Sequence, residues 1–204
     1  MRITDPRYRR DIARYSLAAT MVRLEARTRT IRQWTGVSGR LVRALYDSYL
    51  RDEGRTLRHR GPTPRRAAFF LRSAKVRDEA AALVGLCSVL QVIPAQPLDN
   101  ARRELPGLQR GERLCRVFEL FQGLVGSSEF TLDHAILLIV AVAQGTELRL
   151  GHCTDCGGAM IFDPEALSRR MCSHCAAEPQ VSHEESRAAR DGPHSSVPAQ
   201  QSLF

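Results

Sequence analysis

Cys153-Thr154-Asp155-Cys156-Gly157-Gly158, followed after an interval of fifteen residues by Cys172-Ser173-His174-Cys175, is the stretch that decides how the end of this chain folds. Two Cys-x-x-Cys pairs at this interval match the spacing of a tetrahedral metal module, in which each pair turns tightly and offers two thiolates to one ion. The spacing therefore predicts one structural Zn2+ per chain, held by Cys153, Cys156, Cys172 and Cys175. Gly157-Gly158 supplies the positive φ that such a turn commonly needs. Arg169 and Arg170, just before the second pair, are placed to offset the negative charge of four thiolates from outside the shell. His152 and His174 compete as ligands, each beside a cysteine it could replace. A closed four-sulfur shell leaves no position for water, which argues against catalytic zinc, and the expectation is that the chain is not an enzyme. A thioredoxin-like dithiol would need one such pair beside a βαβ pattern. A zinc deaminase would need a His-x-Glu motif upstream, and the sequence has none. Cys87 and Cys115 stand apart on apolar helix faces and read as small buried hydrophobes.

Upstream of the module the periodicity is helical almost throughout. Ile12, Tyr15, Ala19, Val22 and Ala26 recur at steps of three and four, predicting an amphipathic helix from about Asp11 to Arg27. A short helix over Thr30 to Thr35 ends at Gly36, and Ser38 then reads as the N-cap of a third helix. That helix has Leu41, Val42, Leu45 and Tyr49 on its apolar stripe, and Arg40, Arg43, Asp47 and Arg51 outside it. Arg51 to Arg66, with Gly54, Gly61, Pro62 and Pro64 among six arginines, reads as a basic linker. Helices follow at Asp78 to Leu90 and at Arg110 to Val125, the latter with Leu114, Val117, Phe118, Phe121, Leu124 and Val125 on one face. A last helix starts at Thr131 as N-cap, runs through the apolar stretch Ala135 to Ala143 and stops at Gly145. Glu147 to His152 alternates as a short strand, and residues 179–204 lack periodicity and read as a disordered tail. The expected fold class is mainly α: a helical domain with a helix-turn-helix-like N-terminal segment and a small C-terminal four-cysteine zinc module. The expected divisions are a basic DNA-binding segment and linker at 1–66, a helical core at 67–145, the zinc module at 146–178 and the tail.

Composition narrows the class. Apolar residues at 43% and charged ones at 25% are those of a globular protein, and no apolar run approaches a membrane span. The start of the chain lacks the apolar centre of a secretory signal, so a cytoplasmic location is expected. The net charge of +8 is unevenly spread, for residues 1–66 hold seventeen arginines against six acids. The rest of the chain is slightly acidic. A front so biased attracts polyanions.

Ile31-Arg32-Gln33-Trp34-Thr35-Gly36-Val37-Ser38-Gly39-Arg40-Leu41-Val42-Arg43-Ala44-Leu45-Tyr46 resembles a helix-turn-helix. Ile31, Val37, Val42 and Leu45 stand where that motif buries its residues, although Arg32 stands where it usually packs a small one. The start of the second helix is the part that reaches base edges, which makes Ser38, Arg40 and Arg43 the candidate DNA contacts.

Taken in order, Gly39-Arg40-Leu41-x-x-x-Leu45-Tyr46, the middle helices, Cys153-x-x-Cys156-Gly157-Gly158-x-x-Ile161-Phe162 and Cys172-x-x-Cys175 resemble the FlhC family of flagellar master transcriptional regulators, over roughly residues 15 to 176. The resemblance implies a mostly helical protein whose four cysteines bind zinc. It further implies a heterohexamer of four FlhD with two FlhC chains that binds promoter DNA and activates flagellar operons through RNA polymerase. The apolar helix Ala135 to Ala143 and the face from Leu114 to Val125 could supply the FlhD interface, but are expected first of all to form this chain's own core. A zinc-ribbon RNA-binding or ribosome-associated protein would share the charge and the cysteines, and an adaptor that recruits polymerase without touching DNA is a third class.

Overall fold

The computed structural model describes residues 6–52, 66–167 and 169–177. The expected linker lies largely outside them, and the expected tail at 179–204 wholly so. The architecture is mainly helical: α1 (Pro6–Arg23), α2 (Thr28–Thr35), α3 (Gly39–Asp52), a 3-10 turn (Ala67–Leu71), α4 (Ala74–Val89), the one-turn α5 (Ala101–Glu104), α6 (Leu108–Val125), α7 (Leu132–Gln144), an antiparallel hairpin of β1 (Arg149–His152) and β2 (Ala159–Phe162), and a final turn α8 (Ser173–Ala177).

Local chemistry explains where these elements stop. Thr131 caps α7 by accepting the His134 N–H while His134 Nδ1 accepts the Thr131 N–H at 3.0 Å, a capping box with histidine in the usual glutamate place. Gly145 ends α7 in the left-handed conformation, as Gly36 ends α2. Ser73 and Ser38 accept N–H groups three residues on, at Val76 and Leu41, and so cap α4 and α3.

The centre is built by α4, α6 and α7 around Leu83, Leu114, Phe118, Phe121, Leu138 and Ile139, all fully buried. Phe70, Phe121 and Phe130 pack ring against ring inside it. The buried residues form one contiguous cluster from Leu17 through Ile161, so the front helices share the core of the middle ones. α1 and α2 lie against α6 at Gly111, where a Cβ would come within 2.7 Å of Leu17 Cδ2 and 3.3 Å of Trp34 Cε3. A side chain there would push the helices apart.

A second link is polar. Asp133, in the first turn of α7, accepts the Arg27 N–H at 3.0 Å and the Thr30 hydroxyl, placing a carboxylate at the start of α2 from more than a hundred residues away. The N-termini of two helices thus face one negative charge, the arrangement their dipoles favour. Tyr46 of α3 donates its hydroxyl to the Ala26 carbonyl, which holds α3 over the α1–α2 turn.

Two sequence expectations are corrected. α1 starts earlier and ends earlier than its periodicity suggested, and its buried face is Leu17, Ala18, Met21 and Val22. Ile12 and Tyr15, read as part of the apolar stripe, are 48% and 52% exposed. On α6, Leu124 was placed on the buried face but is 74% exposed, and Leu120, four residues before it, is 54% exposed. By contrast Ala135, Ala141 and Ala143 of α7, and Leu114, Val117, Phe118 and Phe121 of α6, are buried within the chain itself.

Candidate metal centre and basic helical face

The first cysteine pair sits in the turn of the β1–β2 hairpin, whose register pairs His152 with Ala159 and Leu150 with Ile161. The Cys153 N–H donates to the Gly158 carbonyl at 2.8 Å and the Gly157 N–H to the Cys153 carbonyl at 3.0 Å, closing a knuckle that needs φ +71° at Gly157. Backbone N–H groups then point at sulfur: Asp155 and Cys172 at Cys153 Sγ (3.5 and 3.3 Å), Gly158 at Cys156 Sγ (3.4 Å), and Cys175 at Cys172 Sγ (3.4 Å). Such donors stabilise thiolates. Backbone donors from Cys156, Cys172 and Asp155 draw the Cys153 thiol down to about 6, whereas the neighbouring sulfurs of Cys172 and Cys156 push Cys175 up.

The four sulfurs lie within 4.8 Å of one another, and Cys156 Sγ and Cys172 Sγ are 3.7 Å apart. A tetrahedron of thiolates about 2.3 Å from a central ion has edges of about 3.8 Å. A disulfide would need about 2 Å, so the spacing is that of metal ligands. The donor set is compatible with one structural metal ion, closed on four sides by sulfur. The competing ligand His152 ends β1 with an exposed side chain, and the cluster of metal-holding groups found among the described residues consists of the four cysteines.

The two arginines expected to support the ligands do so differently. Arg169 pairs with Asp155, inside the first knuckle, at 2.7 Å. Arg170 lies over the Phe162 ring at 4.3 Å, and its carbonyl accepts the Thr154 N–H at 2.9 Å. The two halves of the centre are therefore laced together by backbone and side chain as well as by sulfur. β2 packs on α4, and Ser173 at the start of α8 donates to Asp78 of α4, so the module rides on the helical core.

The DNA candidates occupy a different neighbourhood. Ser38, the cap just before α3, and Arg40 and Arg43 on its first turns are exposed, and α3 packs on α1 and α2. Arg40 and Arg43 are three residues apart, hence on one helix face. Neither has an ion-pair partner among the described residues. The exposed Arg32 runs past Gly39, its Cδ 3.5 Å from where a Cβ would be, so the absence of a side chain there lets this long residue leave the helix junction. Arg14 is different: its guanidinium is tied to the Thr35 and Gly36 carbonyls, the first at 2.7 Å, and so braces the turn from α1. Asp133 escaped sequence reading because it looks like any acid in a first helical turn. Arg77 escaped it too, as one more exposed-looking cation on α4. Cys87 and Cys115 are buried as expected, and burial pushes both thiols up to about 12, with Glu119 and Glu112 adding to the shift at Cys115.

No helix among the described residues is long and apolar enough to cross a membrane. No protein-family model matches this chain, and no curated protein matches it.

Proposed function

We propose that this chain is a non-enzymatic, cytoplasmic transcriptional activator that binds promoter DNA through its basic front helices and holds one structural zinc ion on Cys153, Cys156, Cys172 and Cys175. The observation that carries the DNA part is the exposed start of α3, where Arg40 and Arg43, without an ion-pair partner among the described residues, stand beside Arg32 and the capping Ser38. Arginine forks suit phosphate oxygens and the guanine edge alike. Zinc is the ion that a closed four-thiolate tetrahedron suits best; it supplies cross-linking rather than chemistry. The resemblance to FlhC extends the proposal to flagellar operons, to assembly as four FlhD with two of this chain, and to contact with RNA polymerase. The zinc-ribbon RNA-binding alternative is disfavoured by Phe70, Phe118, Phe121 and Phe130, which pack on one another in the core rather than offering stacking faces.

The test is co-expression of this chain with the FlhD of the same source. The expected result is co-purification, one zinc per copy of this chain, and retention of a flagellar promoter fragment over a scrambled duplex. Tighter binding to RNA than to the promoter would replace this reading by the ribosome-associated one, and a complex that binds neither would leave the adaptor.

A further inference from the structure

Three arginines that the DNA reading leaves unused meet where the cysteine module rests on α4. A cleft of about 120 Å3 opens there, lined by Arg77 of α4 and by Arg169 and Arg170 from the segment leading into Cys172. One carboxylate, Asp163, joins them, and Met160 and Phe162 are among the apolar walls. The charges do not cancel. Asp163 accepts the Glu165 N–H at 2.9 Å, Arg169 is shared with Asp155, and the Arg170 guanidinium lies over the Phe162 ring without an ion-pair partner among the described residues. Arg77 has its Nε buried with no acceptor, although buried donors are nearly always satisfied. A cation cluster against apolar walls, with one donor buried and unused, is set up to take an anion.

We propose that this cleft binds a phosphate group, held by Arg77 and Arg170 with Arg169 adding charge. Several guanidinium forks suit a tetrahedral oxyanion, which presents three or four oxygens, better than a carboxylate that a single fork satisfies. The volume is below that of pockets which enclose whole drug-sized molecules, so it takes the group and leaves the rest of its carrier outside. The group could arrive as free phosphate, as a phosphomonoester, or as a phosphodiester of nucleic acid. Bound there it would bridge α4 to the Cys172 segment and tie the metal module to the helical core. The inference uses none of the α3 residues, so it stands or falls apart from the DNA-binding proposal.

The full chain, with metal content verified, is titrated with inorganic phosphate at constant ionic strength while the arginine Nε–H resonances are followed by NMR. A saturable shift of the Arg77 Nε–H is expected. Arg77→Gln and, separately, Arg170→Gln should weaken phosphate binding by about tenfold or more, as loss of a charge-assisted hydrogen bond does, at unchanged metal content. Arg116→Gln, on the exposed side of α6, should leave it unaltered. Displacement of phosphate by a short DNA duplex would assign the site to backbone phosphodiester, and persistence of the phosphate signal would assign it to free phosphate or a phosphomonoester; either supports the proposal. No saturable shift in the wild-type chain, or undiminished, wild-type affinity in both cleft variants, overturns it.

Discussion

Asp133 is 8% exposed, yet its two oxygens serve donors on another helix, the Arg27 N–H and the Thr30 hydroxyl. Removing the carboxylate strands both. Asp133→Ala is expected to lower the unfolding free energy by about 2–3 kcal/mol, and urea denaturation checks it. Asp133→Asn, which keeps an acceptor, should lose less. The buried thiols allow a chemical check on the core. Because burial holds Cys87 and Cys115 at about 12, and seals them, neither should react with iodoacetamide in the native protein at mildly alkaline pH. Mass spectrometry before and after addition of denaturant reads this, and rapid labelling of either cysteine in the native state would mean that the core opens readily. Residue types alone had marked Cys87 and Cys115 as core, since isolated cysteines at helical spacing among apolar neighbours have one common role. They gave no hint of the work of Asp133, because a carboxylate in a first helical turn looks the same whether it faces water or another helix.

At the scale of elements, the two ends of α7 were legible because both carry their own chemistry, Thr131 in a capping box and Gly145 in the left-handed region. The clustering of the four cysteines was legible for the same reason, since metal spacing is local, whereas the second strand of their hairpin, Ala159–Phe162, was not foreseen. The face of α1 was not, for Ile12 and Tyr15 keep helical spacing while burial is set by where α6 crosses, near Leu17 and Gly111. Leu124 failed likewise, because periodicity marks a stripe but not how far a neighbouring helix extends along it. Since the core is made mainly of helices, with Ile161 of β2 as the hairpin's share of it, loss of the metal and loss of the helices should separate experimentally. Chelation, or Cys156→Ser, is expected to remove the ion and make the segment between Phe162 and Cys172 sensitive to protease while most of the helical circular dichroism remains. Collapse of the helical signal would show instead that the core depends on the metal. For α3, Arg40→Ala and Arg43→Ala are each expected to cost about 1–3 kcal/mol on a specific promoter site, and less on random duplex, in paired binding assays. Equal losses on both would make them phosphate contacts only.

For the molecule as a whole, the uneven charge decides how it should meet DNA. The front surplus of arginines, with Arg14 withdrawn into bracing the turn, predicts affinity that falls steeply with salt, with log K declining by about 0.9 per phosphate neutralised for each tenfold rise in salt. A titration series over salt, made with the full complex, measures the slope; a flat series would remove phosphate contact from the account. The mainly helical class could be read from sequence because it sums many local periods. The single shared core could not, because it depends on contacts such as Leu17 with Gly111 that join distant parts of the chain.

The tie from Asp133 to the start of α2 also bears on how the protein is made. Ribosomes release the arginine-rich front first, while its anchor is still untranslated, and contacts of such long sequence separation form late in folding. A nascent chain halted before α7 would therefore display the positive charge without the fixed posture, attracting nucleic acid indiscriminately, and an orderly grip on one site has to wait for the second half of synthesis.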